Sequence, residues 1–459
     1  MSYSSNQIEG KDGLKQTKLG CIPKHWRYCK IEDLVEEKII AKPMDGNHGN
    51  IHPKAEDFVK SGIPFIMANN IQNGILNLSS CNCLRKEQAD KLQKGFSQSG
   101  DVLLTHKGSV GNTAIVNRIN TDYIMLSPQV TYYRVLDSNK LSSIYLRVFF
   151  DSYKFQNIIQ ELSGGGTRAY IGITNQRKLP FILPPLPEQK KIARILSTWD
   201  QAIEKTQQLI TAKEQRKKGL MQQLLTGKKR FKKFVNMEGY KQTKIGSLPS
   251  DWKVTKLASV NKSLASGVSV NSSDLPKEEG EIGILKTSSV SNGQFYPKEN
   301  KVITDSIEIS RAKLNPVKNK LLISRMNTPE LVGACAYIEE TRTDLFVPDR
   351  LWLADFDTNV IHIRWLNYLL SSDRYKNQIK NRASGTSGSM KNISKGSFLQ
   401  MLIPLPHLLE QKGIASILSA IDREINLLKR NKEHLHMQKQ GLMQQLLTGQ
   451  TRVQVEEMA

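Results

Sequence analysis

Gly219-Leu-Met-Gln-Gln-Leu-Leu-Thr-Gly227 returns without a change as Gly441-Leu-Met-Gln-Gln-Leu-Leu-Thr-Gly449. An identity of this length at this separation points to internal duplication, and a repeat missed here would misread the whole fold. Upstream of each copy lies a proline-rich stretch with a Glu-Gln-Lys. These are Pro184-Pro-Leu-Pro-Glu-Gln-Lys190 and Pro404-Leu-Pro406 followed by Glu410-Gln-Lys412, with His407 to Leu409 inserted in the second. Further out, Gly13-Leu-Lys-Gln-Thr-Lys-Leu-Gly20 with Pro23 and Trp26 returns as Gly239-Tyr-Lys-Gln-Thr-Lys-Ile-Gly246 with Pro249 and Trp252. Between these anchors the halves diverge: residues 36–160 and 262–380 differ in length, Gly/Pro placement and charge. Similar ends with dissimilar middles describe a common frame carrying two different readers.

The stretch before each nonapeptide reads as one long helix. From Glu188 to Thr226 there is no proline, and Ile192, Leu196, Trp199, Ile203, Ile210, Leu220 and Leu224 recur at spacings of four and three, interrupted by Thr206, Lys213 and Lys217. The second half repeats the stripe with Ile414, Leu418, Ile421, Ile425, Leu428, Leu435, Leu442 and Leu446, broken by Lys432 and Lys439. Such a stripe marks a helix packed along its length on another helix. The predicted interhelix contacts are Ile192, Leu196, Trp199, Ile203 and Ile210 against Ile414, Leu418, Ile421, Ile425 and Leu428. Pro187 and Pro406 are expected before the helix starts, and Gly227 and Gly449 at the ends. A helix of about 38 residues is roughly 57 Å long, a spacer as much as a core element. The expectation is an antiparallel pair with the globular parts at opposite ends. Gly219 and Gly441 disfavour helix by about 1 kcal/mol each and are expected to mark a break or a close backbone approach.

The globular parts read as α+β. Ile63–Met67, Asp101–Thr105, Ala114–Val116 and Val130–Val135 are strand-like in the first half, as are Ile282–Leu285, Leu321–Ser324 and Ala334–Ile338 in the second. Helical patterns follow at Leu141–Leu162 and Val360–Lys380. The domain scheme is therefore 1–187 globular, 188–227 long helix, 228–238 basic linker, 239–407 globular, 408–449 long helix and 450–459 tail. Several strand-ending turns carry groups that bond base edges or phosphates. Candidate DNA-binding residues there are Asn69, Asn70 and Gln72; Thr105, His106, Lys107 and Ser109; Arg168 and Tyr170; and Arg325, Asn327 and Thr328.

Charge supports a polyanionic partner. Lys and Arg number 66 against 43 Asp and Glu, a net +23, and such an excess concentrates nucleic acid or an anionic membrane. The linker run Lys228, Lys229, Arg230, Lys232 and Lys233 lies between the two readers, where it can follow phosphates. Apolar residues at 39% fit a soluble globular chain. No apolar run approaches the ~20 residues of a membrane span, and the polar N-terminus has no signal-peptide core, so a cytoplasmic location is expected. The five cysteines, Cys21, Cys29, Cys81, Cys83 and Cys335, form no C-x-x-C and are expected as free thiols rather than metal ligands.

Motifs of catalysis do not surface. There is no G-x-x-x-x-G-K-[ST] phosphate loop, and Gly164-Gly-Gly-Thr-Arg168 lacks the dinucleotide-binding spacing. No Asn-Pro-Pro-aromatic or Asp-Pro-Pro-aromatic run of an amino-methyltransferase occurs. Pro348-Asp349 has no following acidic-x-Lys triplet, so a metal-dependent nuclease core is unsupported. His48 and His52 sit among Gly46, Gly49 and Pro53 and read as loop residues. The expected site therefore has no catalytic residue and no metal.

The duplicated frame, with Pro-x-Pro-Glu-Gln-Lys-Lys-Ile-Ala before the first long helix and Gly100-Asp-Val-Leu-Leu-Thr-His-Lys-Gly108 in the first reader, resembles the specificity subunit of type I restriction–modification systems, HsdS. Asp45-Gly-Asn-His-Gly49, Gly62-Ile-Pro-Phe65 and Ser127-Pro-Gln-Val130 extend the likeness, whereas the second reader departs, with Lys320-Leu-Leu-Ile-Ser-Arg325 in place of Gly-Asp-Val-Leu-Leu. The resemblance implies two target recognition domains joined by antiparallel helices in a coiled coil, related by a pseudo-twofold repeat. It implies that each domain reads one half of a split, asymmetric DNA site. It also implies two methyltransferase subunits using S-adenosylmethionine for adenine N6 methylation, and restriction subunits driven by ATP with Mg; these cofactors belong to the partners and none to this chain. The competing reading is a sequence-specific DNA-binding protein that works alone.

Overall fold

The structure, a computed structural model, describes residues 13–72, 74–164, 169–385 and 390–455. Both nonapeptides lie at the ends of long helices. The first, α1, spans Leu186–Leu224 and the second, α2, Leu408–Leu447. Pro187 falls inside the first turn of α1 rather than before it, where a missing N–H leaves no carbonyl unserved. Just past the helices, Gly227 and Gly449 take left-handed φ values of 72° and 69°, the conformation in which a C′ glycine closes a helix. Gly219 and Gly441 behave otherwise than expected. Neither breaks its helix, and a Cβ added at either would meet nothing within 4 Å.

The chain divides into two units, one of residues 1–207 with 430–459 and the other of residues 208–429. Each unit thus takes a piece of both long helices. In the first unit these pieces run antiparallel, since Asp200 pairs with Lys439 and Gln207 with Lys432. Ile192 and Leu196 join Met443, Leu446 and Leu447 in a core with Trp26, Phe149 and Phe181. Ile203 is buried and Trp199 half-buried. In the second unit Lys217 bonds Asp422 at 2.7 Å, and Ile210 packs on Ile421 and Ile425 with Leu428 beside them. Ile414 and Leu418 enter that unit's main core with Leu224 and Leu225.

Each unit builds its reader on an antiparallel four-stranded sheet. In the first unit β1 (Met44–Asp45), β2 (Val102–Thr105), β3 (Thr113–Ile115) and β4 (Val130–Tyr133) take the order β3-β2-β4-β1. β2 is buried at every residue, which is why it reads as an unbroken apolar run rather than an alternating one. In the second unit β5 (Asn261–Ser266), β6 (Leu321–Ser324), β7 (Cys335–Tyr337) and β8 (Leu351–Phe356) take the order β7-β6-β8-β5. That is the same arrangement. A second sheet in each unit contains one parallel pair, Ile63–Ile66 with Ile124–Leu126 and Gly283–Leu285 with Leu345–Phe346. Even the isolated parallel bridge Gly74–Ala114 recurs as Gly293–Ala336. The divergent middles therefore share a fold that their sequences do not announce.

Within each unit a buried carboxylate ties the frame together. Glu188 accepts the indole N–H of Trp26 at 3.2 Å and a guanidinium N–H of Arg452 at 3.1 Å. Glu410 accepts the indole N–H of Trp252 at 3.1 Å and a two-pronged contact from Arg230 at 2.8 and 2.9 Å. Arg230 also engages Asp251 at 2.8 Å, and its hydrogen bonds to Glu410, outweighing burial, hold its pKa above the ordinary value. Beside this contact Gly227 lies so close to Pro249 that a Cβ would fall 2.4 Å from its ring, and Gly449 stands 2.5 Å from Pro23 in the same sense.

The glycines divide accordingly. Gly219→Ala and Gly441→Ala should each raise stability by about 0.5–1 kcal/mol, the helix-propensity gain at an unobstructed site. Gly227→Ala and Gly449→Ala should each lose at least about 1 kcal/mol, because Ala resists the left-handed conformation. Thermal melts of the four single variants check this; a loss at position 219 or 441 would mean that those glycines serve packing after all.

Candidate nucleic-acid interface

The polar residues singled out in the sequence gather at corresponding ends of the two four-stranded sheets. In the first unit β2 runs out at Thr105, and the next residue, His106, is pinned on both sides. Its N–H donates to the Gln129 carbonyl at 2.9 Å, and its own carbonyl accepts the Ile171 N–H at 2.9 Å. Gln129 also accepts the Ala68 N–H through its side chain at 3.3 Å, which draws the Ala68–Asn70 turn to the same end. Lys107 forms a single β-bridge with Tyr170. Asn69, Gln72, Lys107, Ser109 and Tyr170 are exposed there. Arg168 lies outside the described residues.

Three of the candidate side chains in this unit build the turn instead of facing solvent. Thr105 is buried; its hydroxyl donates to the Ser109 carbonyl and accepts the Asn112 N–H. Asn70 is buried and accepts the Met67 N–H at 2.9 Å. His106 is 1% exposed, with Nδ1 at 2.8 Å from the Thr131 hydroxyl and Nε2 unpartnered. Its ring stands 5.7 Å from that of Tyr170 and 3.8 Å from the Asp45 carboxylate. Asp45 is held by Lys94 and, at 2.6 Å, by His48. Burial pushes its carboxyl up, but these two contacts more than offset that and leave it below the usual value. Burial likewise drives the His106 imidazole down from 6.5 to about 4, against the smaller pull of Asp45.

In the second unit Arg325 holds the place of His106. Its N–H donates to the Arg350 carbonyl at 3.0 Å and its carbonyl accepts the Ile393 N–H at 3.0 Å. The following segment Met326–Asn327 pairs with Lys391–Asn392. Asn327 is buried and spans Ser324 and the Thr328 N–H, while Thr328 is exposed. Sequence reading missed Lys391 and Asn392. The signal was available, because each pair of partners (Ala169 and Tyr170, Lys391 and Asn392) ends a Gly/Ser-rich run and precedes an isoleucine.

Of the linker cations, Lys228, Lys229, Lys232 and Lys233 are exposed. Arg230 is committed to Glu410 and Asp251 and is not available to a phosphate without breaking that contact. Among the described residues no cluster of His, Cys, Asp or Glu fits a metal ion. The five cysteines are free thiols.

The profile of the type I restriction modification DNA specificity domain matches this chain twice, over residues 23–214 and 249–437. The chain belongs to this family. It is similar along nearly its whole length to two specificity subunits of Methanocaldococcus jannaschii. These are a putative type I restriction enzyme MjaX specificity subunit, 26% identical with 97% of this chain and 98% of the relative covered, and the MjaVIII specificity subunit, 25% identical with 98% and 97% covered. Its fold is similar to the crystal structure of a type I restriction–modification S subunit from M. genitalium, with a TM-score of 0.54 at 16% identity, covering 92% of this chain and 96% of that one. The two profile matches fall on the two halves of the duplication, so each half carries its own specificity domain.

Because the folded state favours neutral His106, the unfolded chain takes up this proton first. Stability is therefore complete above pH 6.5 and falls as the pH drops towards about 4, by up to about 3 kcal/mol from this group. His106→Gln should flatten that acid limb, as followed by unfolding midpoints between pH 7 and 4; an unaltered limb would assign it to other groups.

Proposed function

We propose that this chain is the DNA-recognition subunit of a type I restriction–modification complex, reading a bipartite, asymmetric site with one unit per half-site. The observation that carries the proposal is the recurrence of one sheet-end platform in both units with different residues on it. His106 and Tyr170 occupy in one the places that Arg325 and Asn392 hold in the other. A shared scaffold with exchanged contact groups suits two different sequences read in the same manner. The specificity-subunit relatives support the same reading.

Catalysis is assigned to partner subunits: a methyltransferase pair using S-adenosylmethionine and restriction subunits using ATP and Mg, with no cofactor held by this chain. Docking of two equivalent partners accounts for the repeated exposed residues. Gln222 and Gln223 match Gln444 and Gln445, and all four are exposed, so burial gives no reason for their identity. Among the described residues, only the Gln445 side chain of these four accepts a hydrogen bond, from the Thr451 hydroxyl at 3.3 Å. The proposed setting is the cytoplasm; no described helix is long and apolar enough to cross a membrane. Helix length is proposed to fix the number of unread base pairs between half-sites, as dimer geometry does for repressors. The four exposed linker lysines are proposed to follow phosphates.

Sequencing methylated adenines in cells with and without this chain should reveal a two-part motif that depends on it. Four residues inserted into both long helices should lengthen the unread gap and leave both half-sites unchanged. A motif in one block, or a gap that does not move, overturns the corresponding part of the proposal. Replacing Lys228, Lys229, Lys232 and Lys233 by Gln should weaken binding to all DNA alike and reduce the salt slope by up to about 3–4; altered sequence preference would place those lysines elsewhere.

A further inference from the structure

Charge along the two long helices is almost entirely unrepeated. Between the Glu-Gln-Lys and the nonapeptide, Lys205 answers to Leu427, Lys213 to Leu435 and Glu424 to Ala202. Of all the charged residues in that stretch only Asp200 and Lys217 return, as Asp422 and Lys439. These survivors are one another's partners: Lys439 binds Asp200 in the first unit, and Lys217 binds Asp422 at 2.7 Å in the second. An ion pair half open to water adds little to stability, so a cross-helix bridge alone does not account for the repetition.

Each aspartate has a further contact, and it is to the reader. Arg147, on the helix Ser143–Phe150, donates to Asp200 Oδ2 at 2.9 Å. The Tyr368 hydroxyl, on the matching helix Ile363–Leu370, donates to Asp422 Oδ2 at 2.6 Å. In both units the lysine of the opposite helix takes Oδ1. Arg147 and Tyr368 are buried, where hydrogen bonds are electrostatically stronger than in water. The same two short helices hold the reader's sheet. A Cβ built on Gly74 would fall 2.8 Å from the Arg147 guanidinium, and Asn367 donates to the Gly293 carbonyl at 2.8 Å. Those glycines bridge to Ala114 on β3 and Ala336 on β7. One carboxylate per unit therefore bonds its own helix to the other and both to the helix under the reader.

We infer that Asp200 and Asp422 are positioning residues that set the angle of each reader on the helix pair beneath it, and through that angle the tolerance of the complex for the number of unread base pairs. Apolar packing holds the two together without direction, whereas bonds to both oxygens of one carboxylate fix a geometry. The reader's side of the contact is exchanged, Arg147 in one unit and Tyr368 in the other, while the aspartate is kept. A constant support under a divergent reader requires that. This role rests on the DNA-reading function proposed above and is separate from helix length, which sets the value of the gap and not how strictly it is kept.

Mapping methylated adenines in cells that carry the chain with the methyltransferase subunit of its own system tests this role. The quantity scored is methylation at sites whose gap is one base pair longer or shorter than the preferred gap, relative to sites with that gap. Asp422→Ala and Tyr368→Phe should each raise this ratio by about tenfold, the factor that corresponds to losing a hydrogen bond to a charged group. Asp200→Ala should do the same from the first unit, and the bases of both half-sites should stay as in the wild type. Combining Tyr368→Phe with Asp422→Ala should add nothing to Asp422→Ala alone, because both remove one bond. Tyr368→Phe keeps the ring and decides the matter if the aspartate variants fail to accumulate. A merely structural role would lower the melting temperature and the amount of methylation and leave the ratio unchanged. That result, a changed base preference within a half-site, or additive effects in the double variant overturns the assignment. A wild-type complex with no two-part motif overturns the proposed function itself, a result distinct from any of these.

Discussion

The whole frame depends on a carboxylate placed at the start of each long helix. Glu188 and Glu410 are buried, and burying a carboxylate is tolerated only when charge and hydrogen bonds replace its water. Each is met by an indole N–H from the segment that opens the neighbouring reader and by a guanidinium from the segment that follows the other helix. One contact therefore fixes three parts of the chain: the reader's entry, the beginning of one helix and the exit from the other. The glycine at that exit admits Pro23 or Pro249 and the adjacent tryptophan to near contact. The repeated residues meet crosswise in two such places, Trp26 and Glu188 with Gly449 and Arg452, and Trp252 and Glu410 with Gly227 and Arg230.

The two versions of this contact are not equally strong. Arg230 is 9% exposed and meets two carboxylates, whereas Arg452 is half exposed and shares Glu188 with His25. Asp251 of the second unit stands where the first has His25, next to the tryptophan. Removing one partner from a buried, paired charge is far more damaging than removing an exposed one. The second unit's closure is consequently the more rigid of the two, and the first is open to local charge.

The sequence disclosed this frame because its elements are long or identical. The heptad stripe, the bounding prolines and the terminal glycines each have one physical meaning, and they located α1 and α2 to within a few residues. The readers were harder. Their strands are short, and a fully buried strand such as β2 carries no alternation to distinguish it from a helical segment. Common topology in the middles was invisible because shared strand order rests on burial and backbone pairing, which many different side chains satisfy. The candidate contact residues stand out as polar turns, but their internal bonds do not: the side chains of Thr105, Asn70 and Asn327 bond within their own turns, and Arg230, which looks like part of a phosphate run, is engaged with Glu410 and Asp251. Asn392 escaped notice because its place beside Arg325 is made by strand pairing across a long loop.

The division of the chain also governs the order in which it is made. The second unit is one continuous stretch, and every residue of its core is synthesised in a single pass. The first unit draws Met443, Leu446 and Leu447 from the far end of the sequence into a core that begins with Leu19 and Trp26. A growing chain therefore presents an incomplete first core while the whole of the second unit is being added. Contacts this distant along the sequence form slowly, and unfilled apolar surface invites association with other chains. The first unit becomes whole only when the last turns of α2 arrive, after the whole of the second unit has been made.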